Sequence, residues 1–205
     1  MNVIEIAEIV GRHIADGYLV KNPSRNGYRI VLTEALPILR DQLKLIRRNF
    51  DVKSSRIKAR NNIYDLIVYS KSLYRFLRET VGIPQSKRSS KTLITKWMKM
   101  LNAEARKSMT RGVIDCDGTL YYDRINQLWI IELNIIHRDV ITFVGEVLSR
   151  SSIRFITFKR VKKPPRRTSY ALKILGRRNI AHYLKVIGSK KFKPRFAAGS
   201  RGAPG

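Results

Sequence analysis

Two aspartates carry the strongest chemical signal in this 205-residue chain. Asp16 closes the phrase Gly11-Arg-His-Ile-Ala-Asp16-Gly17, and Asp117 closes Gly112-Val-Ile-Asp-Cys-Asp117-Gly118. Each phrase ends a helix-like run and opens a strand-like one. Residues four apart share a helical face, so Gly11 and Ala15 form one stripe of small residues and Gly112 and Cys116 form another. Helices packed along such stripes would bring Asp16 and Asp117 together at their C-termini, where the dipole is negative and two carboxylates repel. A divalent cation resolves that repulsion. A hard ion such as Mg²⁺ takes carboxylate, carbonyl, water and phosphate oxygens, and it can polarise a phosphodiester and stabilise attacking and leaving oxygens. Gly17 and Gly118 are then expected to supply a left-handed turn that releases each chain into its strand.

A single Asp-Gly after an apolar run is ordinarily a helix stop. The charge of the chain favours more than that. Lys and Arg number 42 against 15 Asp and Glu, a formal net charge of +27, with a pI near 10.8. The natural partner of such a chain is nucleic acid, because neutralised phosphates release condensed counterions. A membrane surface is the weaker alternative. No run of about 18 apolar residues is present, and Met1-Asn-Val-Ile-Glu lacks the basic start of a signal peptide, so an intracellular protein is expected. With one cysteine, Cys116, and the dispersed histidines His13, His137 and His182, the chain lacks a disulfide framework and does not look like a zinc enzyme.

The elements that must position the aspartates repeat as well. Tyr64 to Gly82 and Tyr170 to Gly188 are both intervals of 18 residues, each reading as a strand that leaves into a helix ending at a glycine. Asn2 with Glu5 resembles a capping box opening a helix that carries Val3, Ile6, Val10 and Ile14. Tyr28 to Leu32 reads as a strand. Leu36, Leu39, Leu43, Ile46 and Phe50 recur at helical spacing, with Thr33 a candidate cap and Pro37 compatible only with the first turn. Arg56, Lys58 and Arg60 alternate at strand spacing and so project from one face. Tyr64 to Tyr69 makes a further strand, and Ser70 or Ser72 caps the helix of Leu73, Phe76 and Leu77, stopped by Gly82 and Pro84.

The second half repeats this order. Asn102 caps the helix into Gly112, strands follow near Leu128 to Leu133, Ile153 to Val161 and Tyr170 to Leu175, and helices near Asp139 to Leu148 and around Ile180, Leu184 and Ile187. The expected organisation is a repeat over residues 1–84, a linker over 85–101, a second repeat over 102–190 and a basic flexible tail over 191–205.

The two phrases, about a hundred residues apart and each heading a similar half, resemble the paired motif of the LAGLIDADG homing endonucleases in their single-chain, two-motif form. The resemblance covers about residues 2 to 190 and includes the Ser-Lys-Ser-Leu-Tyr-Arg-Phe-Leu segment that follows Tyr69. It implies an α+β fold of two αββαββα repeats, with two four-stranded antiparallel sheets forming a saddle on the DNA major groove. It implies Mg²⁺- or Mn²⁺-dependent cleavage of both strands of a long pseudo-palindromic target by a monomer, in the service of intron homing.

The family's metal-binding acids fall on Asp16 and Asp117, with backbone carbonyls of Ala15 and Cys116 as further ligands and Gly11, Ala15, Gly112 and Cys116 as packing positions. Lys58, Lys159 and Glu34 are candidates for organising the catalytic water, the two lysines in corresponding strands. The chain departs from the family pattern at Ile14, where a second acid often stands and which Asp115 retains in the other copy. Arg12 and His13 are also polar for a motif helix.

Arg29, Arg56, Lys58, Arg60, Arg154, Lys159, Lys162, Lys163, Arg166 and Arg167 are the expected DNA contacts. Arg154 to Arg178 contains ten basic residues and no acid, which favours a phosphate-contacting loop. Asp115 is expected to hydrogen-bond locally or face solvent, and Cys116 to pack. Tyr28, Tyr64, Tyr69, Trp97, Trp129 and Phe155 read as strand or core aromatics without a regular platform for stacked bases. The alternative is a protein on the same scaffold that binds intron RNA or the ribosome without cutting. The setting expected for either is a prokaryotic cytoplasm or an organelle.

Overall fold

The computed structural model of the chain describes residues 1–22, 27–61, 63–85, 92–161 and 167–192. Packing divides the chain into two units, with the boundary between Cys116 and Asp117.

The first unit opens with α1 (Val3–Asp16), whose cap is Asn2, its side chain accepting from the Ile4 amide at 3.0 Å. Strands β1 (Gly17–Asn22) and β2 (Gly27–Glu34) follow, then α2 (Leu36–Asn49), β3 (Ser54–Arg60), β4 (Ile63–Tyr69) and α3 (Lys71–Arg75), which continues as a π-helical turn over Phe76–Thr80. The strands form one antiparallel sheet in the order β1-β2-β4-β3. Ser70 caps α3, accepting from the Leu73 amide at 3.1 Å. A short helix α4 (Lys96–Lys99) precedes α5 (Ala103–Asp117), which Asn102 caps through the Ala105 amide at 2.9 Å.

The second unit holds β5 (Gly118–Asp123), β6 (Leu128–Ile135), α6 (Arg138–Arg150), β7 (Ile156–Arg160), β8 (Ser169–Leu175) and α7 (Arg177–Val186). Its sheet order, β5-β6-β8-β7, repeats the first. The expected α+β class with two αββαββα repeats and two four-stranded antiparallel sheets is thus the observed fold.

Register explains which face of each sheet is covered. In the first sheet Leu19 faces Ile30, Ile30 faces Val68 and Leu32 faces Leu66. All are buried on the helix side. In the second, Ile131 faces Ile174 and Leu133 faces Leu172, again buried. Each such side chain contributes roughly 1.5–3 kcal/mol of transfer free energy. The opposite faces mix polar and charged residues such as Arg29, Arg56, Glu132 and Lys173 with the apolar Val31, Ile67 and Ile130.

Three helix ends differ from expectation. Thr33 is not a cap: β2 runs on to Glu34, and α2 starts from Ala35 with Pro37 in its first turn. Neither Gly17 nor Gly118 takes a left-handed conformation. Gly17 is extended at φ −87° and ψ 156°, and Gly118 is absent from the positive-φ glycines Gly82, Gly176 and Gly188. Gly17 is required for a different reason: a Cβ there would lie 2.2 Å from His13 Nδ1. Gly82 and Gly188 are the glycines that close helices by a left-handed turn.

Candidate metal centre and nucleic-acid face

Helix α1 is buried from Ile6 to Ile14, its polar residues Glu8, Arg12 and His13 included, as befits a helix covered on all sides. One side meets α5 through glycine. A Cβ on Gly11 would lie 2.1 Å from the Met109 carbonyl oxygen, and one on Gly112 would lie 2.6 Å from that of Glu8. Backbones approach this closely only where side chains are absent, so the glycines set the crossing of α1 and α5. Within the same unit, Ala15 is half-buried and Cys116 is buried.

A buried charge cluster flanks the crossing. Glu8 and Arg12 are 2% and 1% exposed. Arg12 is paired with Glu8 and, at 2.8 Å, with Asp41, and it donates to the Ile38 carbonyl at 3.1 Å. Glu8 is also paired with Arg111, whose Nη2 donates to Ser108 Oγ at 2.9 Å. Burial opposes the charge on Arg12, but Glu8, Cys116 and Asp41 outweigh it and hold the guanidinium pKa above its ordinary value. Sequence reasoning found Arg12 unusual but missed its partners; the Glu8-to-Arg12 spacing of one helical turn was the available signal.

Past that crossing, Asp16 ends α1, Cys116 is the penultimate residue of α5, and Glu34 ends β2. Their ligand atoms all lie within 4.8 Å of one another, with both carboxylates half-buried. Glu34 also accepts from the Ala35 amide at 2.9 Å. Two carboxylates this close at a helix C-terminus favour a bound cation. Their oxygens fit a hard divalent ion, whereas the Cys116 sulfur is soft and suits Mg²⁺ poorly. Asp117, half-buried, follows Cys116 as the last residue of α5 and the first of the second unit. Asp115 does not face solvent: it is fully buried within α5.

The uncovered face of the first sheet gathers Arg29, Arg56 and Lys58. Arg29 pairs with Tyr69, Arg56 with Ile67 and Lys58 with Asp65, positions that share one side of the pleat. Arg56 and Lys58 are exposed. Asp65 accepts from Thr33 Oγ1 at 2.7 Å. The backbone of Arg60 pairs with that of Ile63.

Lys58 and Lys159 are not equivalent. Tyr64-Asp65-Leu66 corresponds to Tyr170-Ala171-Leu172, so Lys58, opposite Asp65, matches Phe158, opposite Ala171. Lys159 lies one residue on, pairs with Tyr170 on the helix-facing side, and lines a groove of about 760 Å³ with Arg138, Glu146 and Arg150 of α6. A one-residue offset reverses the face of a strand residue. Arg154 and Arg167 are exposed, and the Arg154 backbone is pinned by Asn179, which accepts from its amide at 3.1 Å and donates to its carbonyl at 2.5 Å. Lys162, Lys163 and Arg166, like residues 86–91 and the tail from 193, lie outside the described residues.

On the uncovered face of the second sheet stands a cluster that sequence reasoning missed. Glu132 Oε1 is 2.6 Å from Arg160 Nη2, Glu132 Oε2 is 3.3 Å from Lys173 Nζ, and Tyr121 Oη donates to Glu132 Oε2 at 2.9 Å. Burial and the Glu132 bond raise the Tyr121 pKa. The Lys173 pKa is also raised, its desolvation outweighed by Tyr121 and Glu132.

Known proteins share this architecture. I-DmoI bound to its target DNA, nicked in the coding strand and with manganese, superposes with a TM-score of 0.64 at 18% identity, covering 92% of this chain and 97% of that one. I-DmoI in complex with DNA and calcium gives 0.63 at 18% identity over 98% and 100%. Full-length DUF199/WhiA from Thermatoga maritima gives 0.60 at 14% identity, over 99% of this chain and 62% of that one. No curated protein matches the chain. The family described as LAGLIDADG-like domain matches residues 5–80 and 104–188. Two matched copies, each heading an αββαββα repeat with its own sheet, place the chain in the LAGLIDADG-like domain family.

Proposed function

We propose that the chain is a site-specific DNA endonuclease that makes a metal-dependent double-strand cut in a long pseudo-palindromic target, and that it is encoded within an intron. The carrying observation is the convergence of Asp16 and Glu34 beside Cys116 where α1 and α5 end, in a chain of net charge +27.

In this reading Asp16 and Glu34 hold Mg²⁺ or Mn²⁺, with the Ala15 and Cys116 carbonyls as further oxygen donors, and Asp117 is the metal-binding acid of the second motif. Bound there, the ion supplies polarisation of the scissile phosphate and an activated water. The chain's own residues do the rest. The Gly11 and Gly112 crossing keeps the carboxylates on rigid helices, so little reorganisation is required when substrate arrives. Arg29, Arg56 and Lys58 present cations to the phosphate backbone from one sheet face. Lys58 is the better of the two lysine candidates for a role near the cut, since Lys159 faces α6. I-DmoI, solved with its target DNA and with manganese or calcium, supports the reading through its fold.

A second reading is a binding protein that does not cut. It is favoured by the similarity to the N-terminal LAGLIDADG domain of DUF199/WhiA, with a TM-score of 0.59 at 14% identity, because the scaffold alone does not specify cleavage. The deciding experiment incubates the protein with plasmid carrying the uninterrupted insertion site of its own gene, in Mg²⁺ or in EDTA. Linear product in Mg²⁺ alone supports the nuclease. Duplex binding without cleavage in either condition supports the binding protein, and metal-independent RNA binding supports a splicing role.

A further inference from the structure

We infer that the Glu132 cluster on the second sheet is a base-reading site, in which Arg160 donates to guanine in the major groove and Glu132 is the positioning residue that aims it. The inference rests on the duplex-binding part of the proposed function.

The observation to be explained is an acid in an unfavourable place. The uncovered face of β6 is a sheet surface available to a polyanion, since the other is sealed by α6 and α7. There, mid-strand, Glu132 is only 12% exposed and is surrounded by Tyr121, Lys173 and Arg160. A carboxylate facing phosphates repels them and lowers affinity for every duplex equally. Glu132 neutralises one of the two charges of its partners Arg160 and Lys173, so the cluster attracts phosphate less than two free cations would.

What neutralisation leaves intact is donor geometry. A guanidinium has five N–H donors in a fixed fork, and the Glu132 contact engages Arg160 through Nη2. Enough donors remain for the bidentate bond to guanine O6 and N7, which are uncharged acceptors displayed in the major groove. Phe158 restricts the head groups further: its ring centroid is 5.1 Å from Arg160 Cζ and 5.4 Å from Lys173 Nζ. An arginine held by a carboxylate and an aromatic face has less rotamer entropy to lose on binding than a free one.

The first sheet differs at the matching positions. Register aligns Val31 with Glu132 and Ile67 with Lys173, and it carries Arg56 and Lys58 exposed instead. The two faces are therefore built for different work, phosphate contact on the first and base selection on the second.

The test is selection of bound sequences from a randomised duplex library with the full chain, followed by affinity, salt dependence and melting of each variant. Arg160→Lys keeps the charge and loses the fork. It is expected to abolish guanine preference at one position, a change of about tenfold in discrimination, with the slope of log affinity against log salt unchanged. Glu132→Gln removes a charge from the duplex-facing surface. It is expected to relax the same position while affinity for unselected duplex holds or rises. An unchanged motif with only a lower melting temperature would make the cluster structural and overturn the inference. So would an Arg160→Ala variant that keeps the motif but loses about one unit of salt slope, because Arg160 would then contact phosphate. Failure of the wild-type chain to enrich any duplex would instead remove the duplex-binding reading, and the inference with it.

Discussion

At the scale of residues, chemistry is concentrated where charge is least expected. Asp16 and Glu34 are acids in a strongly basic chain, held within 4.8 Å of each other's ligand atoms and Cys116. Asp16→Asn keeps the shape and removes the charge. Metal-dependent plasmid cleavage should fall by about 10² to 10³-fold, the rate equivalent of several kcal/mol, while duplex binding in calcium is retained in a gel-shift assay. The buried Glu8 has a structural task. Glu8→Ala removes one carboxylate from the buried Arg12, leaving its pairing with Asp41, and takes the same carboxylate from Arg111, so urea denaturation should show a loss of about 3–5 kcal/mol. Glu8→Leu together with Arg12→Met removes buried charge from both sides and should recover much of that loss.

At the scale of elements, the crossing of α1 and α5 governs the site. Gly11→Ala would place a methyl 2.1 Å from the Met109 carbonyl oxygen, a backbone atom that cannot rotate away. The helices must separate, at a cost of about 1–3 kcal/mol or more, and the midpoint of chemical denaturation should fall accordingly. Cleavage should fall further than stability alone explains, because Asp16 rides on the displaced helix. The order of these elements was legible in the sequence, since α1, α3 and α5 announce themselves by the caps Asn2, Ser70 and Asn102 and α2, α6 and α7 by apolar residues at helical spacing. Where reading failed, the reason was tertiary. Thr33 looked like a cap because nothing local shows that β2 continues through Glu34 to the Ala35 start of α2. Gly17 looked like a left-handed turn, whereas its requirement comes from the His13 ring. Lys58 and Lys159 looked equivalent because the one-residue offset between β3 and β7 exists only in cross-strand register. The Tyr121, Glu132, Arg160 and Lys173 cluster draws on four separated strand positions and leaves no local signature.

At the scale of the whole molecule, the balance of 42 basic against 15 acidic residues dominates association with any duplex. The logarithm of affinity should fall linearly with the logarithm of salt concentration, with a slope of about −0.9 per phosphate neutralised. Replacing Arg56 or Lys58 with Ala should each make that slope shallower by about one phosphate and weaken binding to all sequences alike. The two sheets thus test separately, by salt slope on the first and by sequence preference on the second. Neither depends on the cation, which the proposed function assigns to Asp16 and Glu34. Titration of Mn²⁺ followed by electron paramagnetic resonance, with duplex present, addresses that claim most directly. The account predicts that the wild-type chain depletes the six-line signal of free Mn²⁺ and that Asp16→Asn with Glu34→Gln abolishes uptake at that site. Uptake unchanged by these substitutions, or none by the wild-type chain, would contradict it.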